Sequence, residues 1–182
     1  NLALTGDPLR MPLAAYYEDY YGPQSNAFGF GPGRGLGWPI DPFPGHSPLE
    51  ALINAGLNGH ALNTELFGWS TGSLILVALV LVLGRLGGAD YIMLAVIAAV
   101  GGLYSLYWFS GGPDFGARYW FLMLVPLVVL TVRGMRSLAE TLLIDPSGWD
   151  AARTRVFVGV LVLCVMALGT YIPWRSIDKY HG

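Results

Sequence analysis

The sequence predicts an all-α polytopic membrane protein: four transmembrane helices, preceded by an irregular extracytoplasmic loop and an amphipathic interfacial helix. Apolar residues make up 54% of the chain and charged residues only 12%, whereas a soluble domain carries roughly 25% charged residues. Apolar runs of membrane-spanning length, with charges only near their ends, follow one another at about 69–87, 90–109, 118–134 and 155–174. Four buried helices of a soluble protein would need more surrounding chain than 182 residues provide.

Residues 1–45 are rich in glycine and proline. Such a composition disfavours long helices and predicts an irregular loop that is ordered by packing on other parts of the protein. Within it, Tyr16–Tyr21 combines tyrosines with Glu18 and Asp19. That combination suits sugar hydroxyl groups and also suits the membrane interface, and both interpretations stay open.

Residues 46–68 predict an interfacial helical segment. Ser47-Pro48-Leu49-Glu50 predicts a capping box: the serine accepts from the N3 amide, proline occupies the first helical position, and the Glu50 side chain reaches back to the cap. Gly59 is predicted to weaken the helix, and a second short helical piece is predicted from Ala61 to Phe67. Apolar residues recur at helical spacing, so the helix is expected to lie along the membrane surface; they are Leu49, Leu52, Ile53 and Leu57.

Residues 69–182 form the predicted four-helix transmembrane region. Tryptophans near the ends of the apolar runs fit the aromatic belt of a membrane interface; they are Trp69, Trp108, Trp120 and Trp174. Pro126 predicts a kink in the third run, because proline removes one backbone donor. Small residues give the second run a face suited to close helix contact; they are Ala95, Ala99 and Gly102, with Ala98 and Gly101.

Arginines set the predicted orientation. The loops at 84–90 and 133–155 lie on the same side of the membrane if there are four spans. Together they hold more than half of the arginines: Arg85, Arg133, Arg136, Arg153 and Arg155. The positive-inside bias therefore places 135–154 in the cytoplasm, and places 1–68 and 110–117 on the extracytoplasmic side.

The chain begins at Asn1 without a signal-like segment, although its first 68 residues are expected outside. We therefore expect the C-terminal part of a longer membrane protein whose upstream transmembrane helices pack against it; a complete short protein is the alternative. A net charge of −2 offers no basic patch for nucleic acid. Cys164 is alone, and His46 and His60 lack metal-ligand spacing, so neither a metal nor a cofactor is expected.

Several motifs occur in an order that resembles bacterial membrane glycosyltransferases of the GT-C class, which are related to the dolichyl-phosphate-mannose–protein mannosyltransferases. They are NLALTGDPLRMP at 1–12, PGHSP at 44–48, LNTELFGW at 62–69, FGARY at 115–119 and the closing RG at 133–134. The chain departs from the family pattern at Ala117, where the family turn has proline before the arginine. It also departs at Ser70, where a proline usually follows the GW pair.

The resemblance implies transfer of a sugar from a polyprenyl-phosphate carrier to an acceptor at the outer face of a bacterial plasma membrane. Such chemistry needs a base for the acceptor hydroxyl and a cation for the leaving phosphate. The family's base lies in its first extracytoplasmic loop, so the catalytic residue is expected upstream of this chain. This segment would then supply part of the groove for the lipid carrier and the outer loop, and it would be inactive alone. The candidate substrate-binding residues are Arg118, Tyr119, Asp114 and His46.

Two other classes remain open at this point. A non-enzymatic integral membrane subunit would lack an upstream catalytic loop. A lipid or solute transporter usually has charged groups or broken helices at mid-membrane, and the apolar runs show only Pro126 as an interruption.

Overall fold

The structure is a computed structural model that describes residues 1–37, 45–109, 117–143 and 148–180. Within these ranges the chain is helical or irregular, without a β-strand. A 3-10 turn at Trp120–Met123 leads directly into α6. The helices are α1 (Leu2–Thr5), α2 (Pro12–Tyr21), α3 (Pro48–Glu65), α4 (Ile75–Leu83), α5 (Gly88–Ser105), α6 (Leu124–Thr141), α7 (Trp149–Gly169) and α8 (Tyr171–Tyr180).

Three helical segments of the described chain are long and apolar enough to cross a membrane, rather than the four predicted: Gly88–Ser105, Trp120–Thr141 and Trp149–Asp178. This is consistent with a helical integral membrane protein. The segment that falls short is 69–87, because α4 has only nine residues. A helix of that length is about 13.5 Å long, less than half of the ~30 Å hydrocarbon core.

The late start of α4 has a local cause. Asn63 accepts from the Ser73 amide through its backbone oxygen at 2.7 Å, and its side-chain oxygen accepts from the Leu74 amide at 3.1 Å. Gly72 has a φ of +90° and packs directly on the Asn63 side chain. The chain is therefore held in a turn up to Leu74, and apolar residues before that point do not extend the helix.

Helix α4 packs closely along α6 through Gly134. A Cβ atom there would overlap the Leu76 carbonyl oxygen and stand 2.7 Å from the Leu76 carbonyl carbon. Trp69, Leu76 and Ala167 form a buried apolar cluster beside this contact, which brings α7 against the same pair of helices. The closing RG pair therefore has a packing role in this chain.

Charged side chains tie the helices together at the end of α6 that carries Arg133. Arg133 Nε lies 3.0 Å from an Asp90 carboxylate oxygen, and Arg133 also donates to the Arg85 carbonyl. Arg85 in turn pairs with Glu140 at 3.3 Å. The Asp90 side chain is only 5% exposed, so the start of α5 is fixed against α6 by a largely desolvated ion pair.

Residues 1–45 are less irregular than the sequence predicted, because α1 and α2 lie within them. Pro12 stands at the start of α2, where a missing amide hydrogen costs nothing. The Tyr16 and Tyr20 rings meet at 4.6 Å, one turn apart, and Arg10 pairs with Glu18 at 2.7 Å. Short helices of this kind are compatible with a composition that excludes long ones.

Helix α3 confirms the serine half of the predicted capping box, since Ser47 Oγ accepts from the Glu50 amide at 3.2 Å. A Glu50 carboxylate oxygen lies 3.4 Å from His46 Nδ1. Helix α3 runs without a break through Gly59, so the predicted interruption is wrong. Its polar side faces the protein: Glu50 and Asn58 are buried. The apolar face is outward, with Leu49, Leu52, Ile53 and Leu57 all exposed, as expected for a helix that lies on a membrane surface.

Two details of the predicted spans differ from expectation. The α-helical bonding of the third run begins at Leu124, so Pro126 falls in the first turn of α6 rather than at a kink inside it. Ala95, Ala99 and Gly102 are exposed, so the prediction that they form a helix contact is wrong for the described part of the chain. Gly101, which was predicted to belong to the same face, does approach the Trp120 ring.

Candidate functional site

An aromatic cluster surrounds the C-terminal end of α5. The Tyr119 ring stacks on Tyr104 with centroids 5.4 Å apart and meets Tyr107 edge-on at 5.8 Å. Phe28, from the N-terminal segment, stacks on Tyr107 at 5.2 Å, and Phe109 meets Tyr119 edge-on at 6.5 Å. We call these five residues the aromatic shelf. Such ring pairs favour fixed relative orientations, so the shelf is a rigid platform where α5 ends and the next span begins.

Arg118 lies on this shelf. Its guanidinium carbon is 4.8 Å from the Tyr119 ring centroid and 5.7 Å from that of Phe109, and Nη2 donates to the Tyr119 hydroxyl oxygen at 3.0 Å. The arginine is exposed and Tyr119 is half-buried. The cation–π contacts and the hydrogen bond to Tyr119 help to hold the guanidinium at the protein surface. A planar guanidinium in such a position is suited to bidentate contact with phosphate or carboxylate.

Tyr107 anchors the shelf to the N-terminal segment. Its hydroxyl donates to Asn26 Oδ1 at 2.8 Å, and the Trp108 indole nitrogen donates to the same oxygen at 3.2 Å. Burial, with smaller effects from Tyr119 and Tyr17, raises the pKa of Tyr107 to about 12 from an ordinary value of 10.0. The hydrogen bond that Tyr107 donates to Asn26 and the charge of Arg118 lower the pKa of Tyr107, but these effects are weaker than burial. Tyr107 therefore remains a neutral hydrogen-bond donor at neutral pH.

His46 attaches the loop before α3 to the same end of α5. Its Nε2 lies 3.0 Å from the Ser105 carbonyl oxygen, and its backbone exchanges two 2.9 Å hydrogen bonds with Gly31. Its Nδ1 is 3.4 Å from a Glu50 carboxylate oxygen, and the side chain has no exposed surface. In this structure His46 positions the loop, because no atom of its ring reaches a surface from which a ligand could be contacted.

Three of the four candidate residues thus come together around one end of α5: Arg118, Tyr119 and His46. Asp114 lies outside the described residues, so its role stays a prediction. Sequence reasoning missed Tyr104 and Tyr107, which carry most of the shelf. Tyr104 lies in the last turn of α5 and Tyr107 lies two residues beyond its end. The available signal was their spacing of three within the predicted run 90–109, which corresponds to one face of a helix. No sequence signal pointed to Asn26, because its hydrogen bond with Tyr107 joins residues that are 81 positions apart.

A second concave region lies beside the shelf-side end of the bundle, between α3 and α8. It is a cavity of about 540 Å³, and its lining includes His60, Glu65, Trp69 and Trp174. Arg175 pairs with Glu65 at 2.9 Å and connects α8 to α3. Gly68, with a φ of +64°, packs against the Tyr171 ring, which explains the glycine of the LNTELFGW motif.

Comparison with protein-family models, with curated proteins and with solved structures finds no match for this chain. Its function is therefore inferred from the residues and their arrangement.

Proposed function

We propose that this chain is the C-terminal membrane segment of a glycosyltransferase that moves a sugar from a polyprenyl-phosphate carrier to an acceptor at the outer membrane face. The segment contributes part of the carrier groove and the outer loop. The catalytic base belongs to an upstream extracytoplasmic loop of the same protein. The order of the motifs between residues 1 and 134 supports this class.

The observation that carries the proposal is the position of Arg118. An exposed guanidinium is held over two aromatic rings where a candidate span begins. A phosphate group at the membrane surface would meet it in a partly desolvated setting, where charge-assisted hydrogen bonds are strongest. Ala117, where the chain departs from the family pattern, is fully buried in a cluster with Leu62, Met123 and Leu127, directly before Arg118 in the chain.

A polyprenyl chain needs an apolar path next to its phosphate. Exposed apolar side chains occur around the end of α5 and the start of α6; they are Leu103, Leu106, Leu122 and Val125. These side chains offer a surface on which isoprene units can lie while the phosphate stays at the headgroup level.

On this proposal the protein resides in a bacterial plasma membrane. Residues 1–68 and 110–117 face the extracytoplasmic side and residues 135–154 the cytoplasm. The distribution of arginines supports this orientation.

The test is sugar transfer from a polyprenyl-phosphate-linked sugar by the full-length protein carrying Arg118→Lys. A lysine keeps the charge but loses the planar pair of donors. We expect turnover or carrier affinity to fall by about 10-fold or more, the scale of a hydrogen bond to a charged group. Arg155→Lys, at an exposed arginine in α7, is the matched control and should leave transfer unchanged.

If Arg118→Lys transfers sugar at the wild-type rate and at normal expression, Arg118 only extends toward the headgroups and does not hold a phosphate. A full-length protein without transferase activity on any polyprenyl-phosphate sugar would contradict the proposed class itself.

A further inference from the structure

A cavity of about 480 Å³ opens between α6 and α7, at the end of the bundle opposite the aromatic shelf. Two arginines, one tryptophan and several apolar side chains line it: Arg136, Arg153, Trp149, Val132, Met135 and Phe157. Both helices belong to candidate spans. The cavity therefore lies where a membrane-spanning bundle meets the headgroup layer.

Among the described residues that line it, the cavity has two arginines and no acidic side chain. Arg153 is exposed and has no hydrogen-bond or ion-pair partner in the part of the chain that the structure describes. Arg136 Nε lies 3.0 Å from Glu140, but the same carboxylate also pairs with Arg85 at 3.3 Å. One carboxylate is thus shared by two guanidinium groups, and its charge does not neutralise both arginines of the cavity.

The remaining walls are apolar and face outward. Val132 is 57% and Phe157 62% exposed, although each belongs to a helix that qualifies as a span. In a bilayer these side chains contact acyl chains. Trp149 stands at the start of α7, where tryptophan favours the boundary between headgroups and hydrocarbon.

We propose that this cavity is a binding site for an anionic phospholipid. The phosphodiester of the lipid contacts Arg136 and Arg153, its glycerol region lies against Trp149, and one acyl chain follows Val132 and Phe157. Phosphatidylcholine binds less well, because its quaternary ammonium would stand close to the two guanidinium groups. Inorganic phosphate binds poorly, since it lacks the chain that occupies the apolar wall.

The experiment measures quenching of Trp149 by brominated phospholipids in the reconstituted full-length protein. The signal of Trp149 is the difference between the wild type and Trp149→Phe. We expect brominated phosphatidylglycerol to quench this signal more strongly than brominated phosphatidylcholine. Arg153→Gln and Arg136→Gln should each lower the apparent affinity for phosphatidylglycerol by about fivefold, the usual effect of one basic residue near an anionic membrane surface.

Arg155→Gln is the matched control, because Arg155 is exposed on the same helix but does not line the cavity. It should keep the preference for phosphatidylglycerol. An equal loss in Arg155→Gln would overturn the proposal in favour of diffuse surface charge. Equal quenching by the two lipids, displacement by excess inorganic phosphate, or no quenching by either lipid would also overturn it; the last result means that another part of the protein covers the cavity. None of these outcomes depends on Arg118 or on sugar transfer.

Discussion

Gly134→Ala should destabilise the protein, although the same change in an open helix position is stabilising. Replacing a helix-interior glycine by alanine normally gains about 0.5–1 kcal/mol of stability. At Gly134 the new Cβ would overlap the Leu76 carbonyl oxygen and stand 2.7 Å from the carbonyl carbon and 2.9 Å from the Leu76 Cβ. Two of these three atoms belong to the backbone of α4 and cannot rotate away, so α4 and α6 must move apart.

The expected loss of stability follows from this forced separation of α4 and α6. Inserting a methyl group into a packed core costs about 1–3 kcal/mol, and the contacts at Gly134 place this site toward the upper part of that range. Gly159→Ala is the matched control, because a Cβ at Gly159 in α7 meets no atom within 4 Å in the described structure. We expect the free energy of unfolding of Gly134→Ala to lie about 2–3 kcal/mol below that of Gly159→Ala.

The measurement is denaturant unfolding of the two purified variants in the same detergent, followed by circular dichroism. If Gly134→Ala is as stable as Gly159→Ala, the close packing of α4 on α6 is refuted, and with it the explanation of the glycine in the RG pair.

Two further predictions follow from the shelf and from the proposed orientation. The pKa of Tyr107 is about 12 in the folded protein, against an ordinary value of 10.0, so the stability that this shift contributes is complete below pH 10 and is lost as the pH rises toward 12. Tyr107→Phe should flatten this decline in the free energy of unfolding, and an unchanged decline would contradict the prediction. Residues 19 and 151 are both exposed. In a Cys164→Ala background, Asp19→Cys should react with an impermeant thiol reagent in intact cells and Ala151→Cys should not. Labelling of Ala151→Cys would show that the orientation is the reverse of the proposed one.

The helix start at Ser47 and the overall membrane character were predictable from the sequence, because both depend on nearby residues. A cap joins side chains within three positions of each other, and the preference for lipid follows from the apolar content of a single run. Arg118 and Tyr119 were identified through a local motif for the same reason. Their use as a site remains a proposal, but their adjacency needed no tertiary information.

The length of α4, the inward face of α3 and the aromatic shelf depended on contacts between distant segments. Asn63 binds the amides that would otherwise have extended α4 toward Trp69. In α3 the polar side chains face inward, where Asn54 donates to the Trp108 carbonyl oxygen. The leucines on the opposite face can contact a membrane surface. Hydrophobic periodicity identifies two faces of a helix but does not say which solvent each one meets. The sequence predicted that the leucines of α3 lie at the membrane surface, but only the tertiary fold supplies the partners that bury the polar groups on the other face.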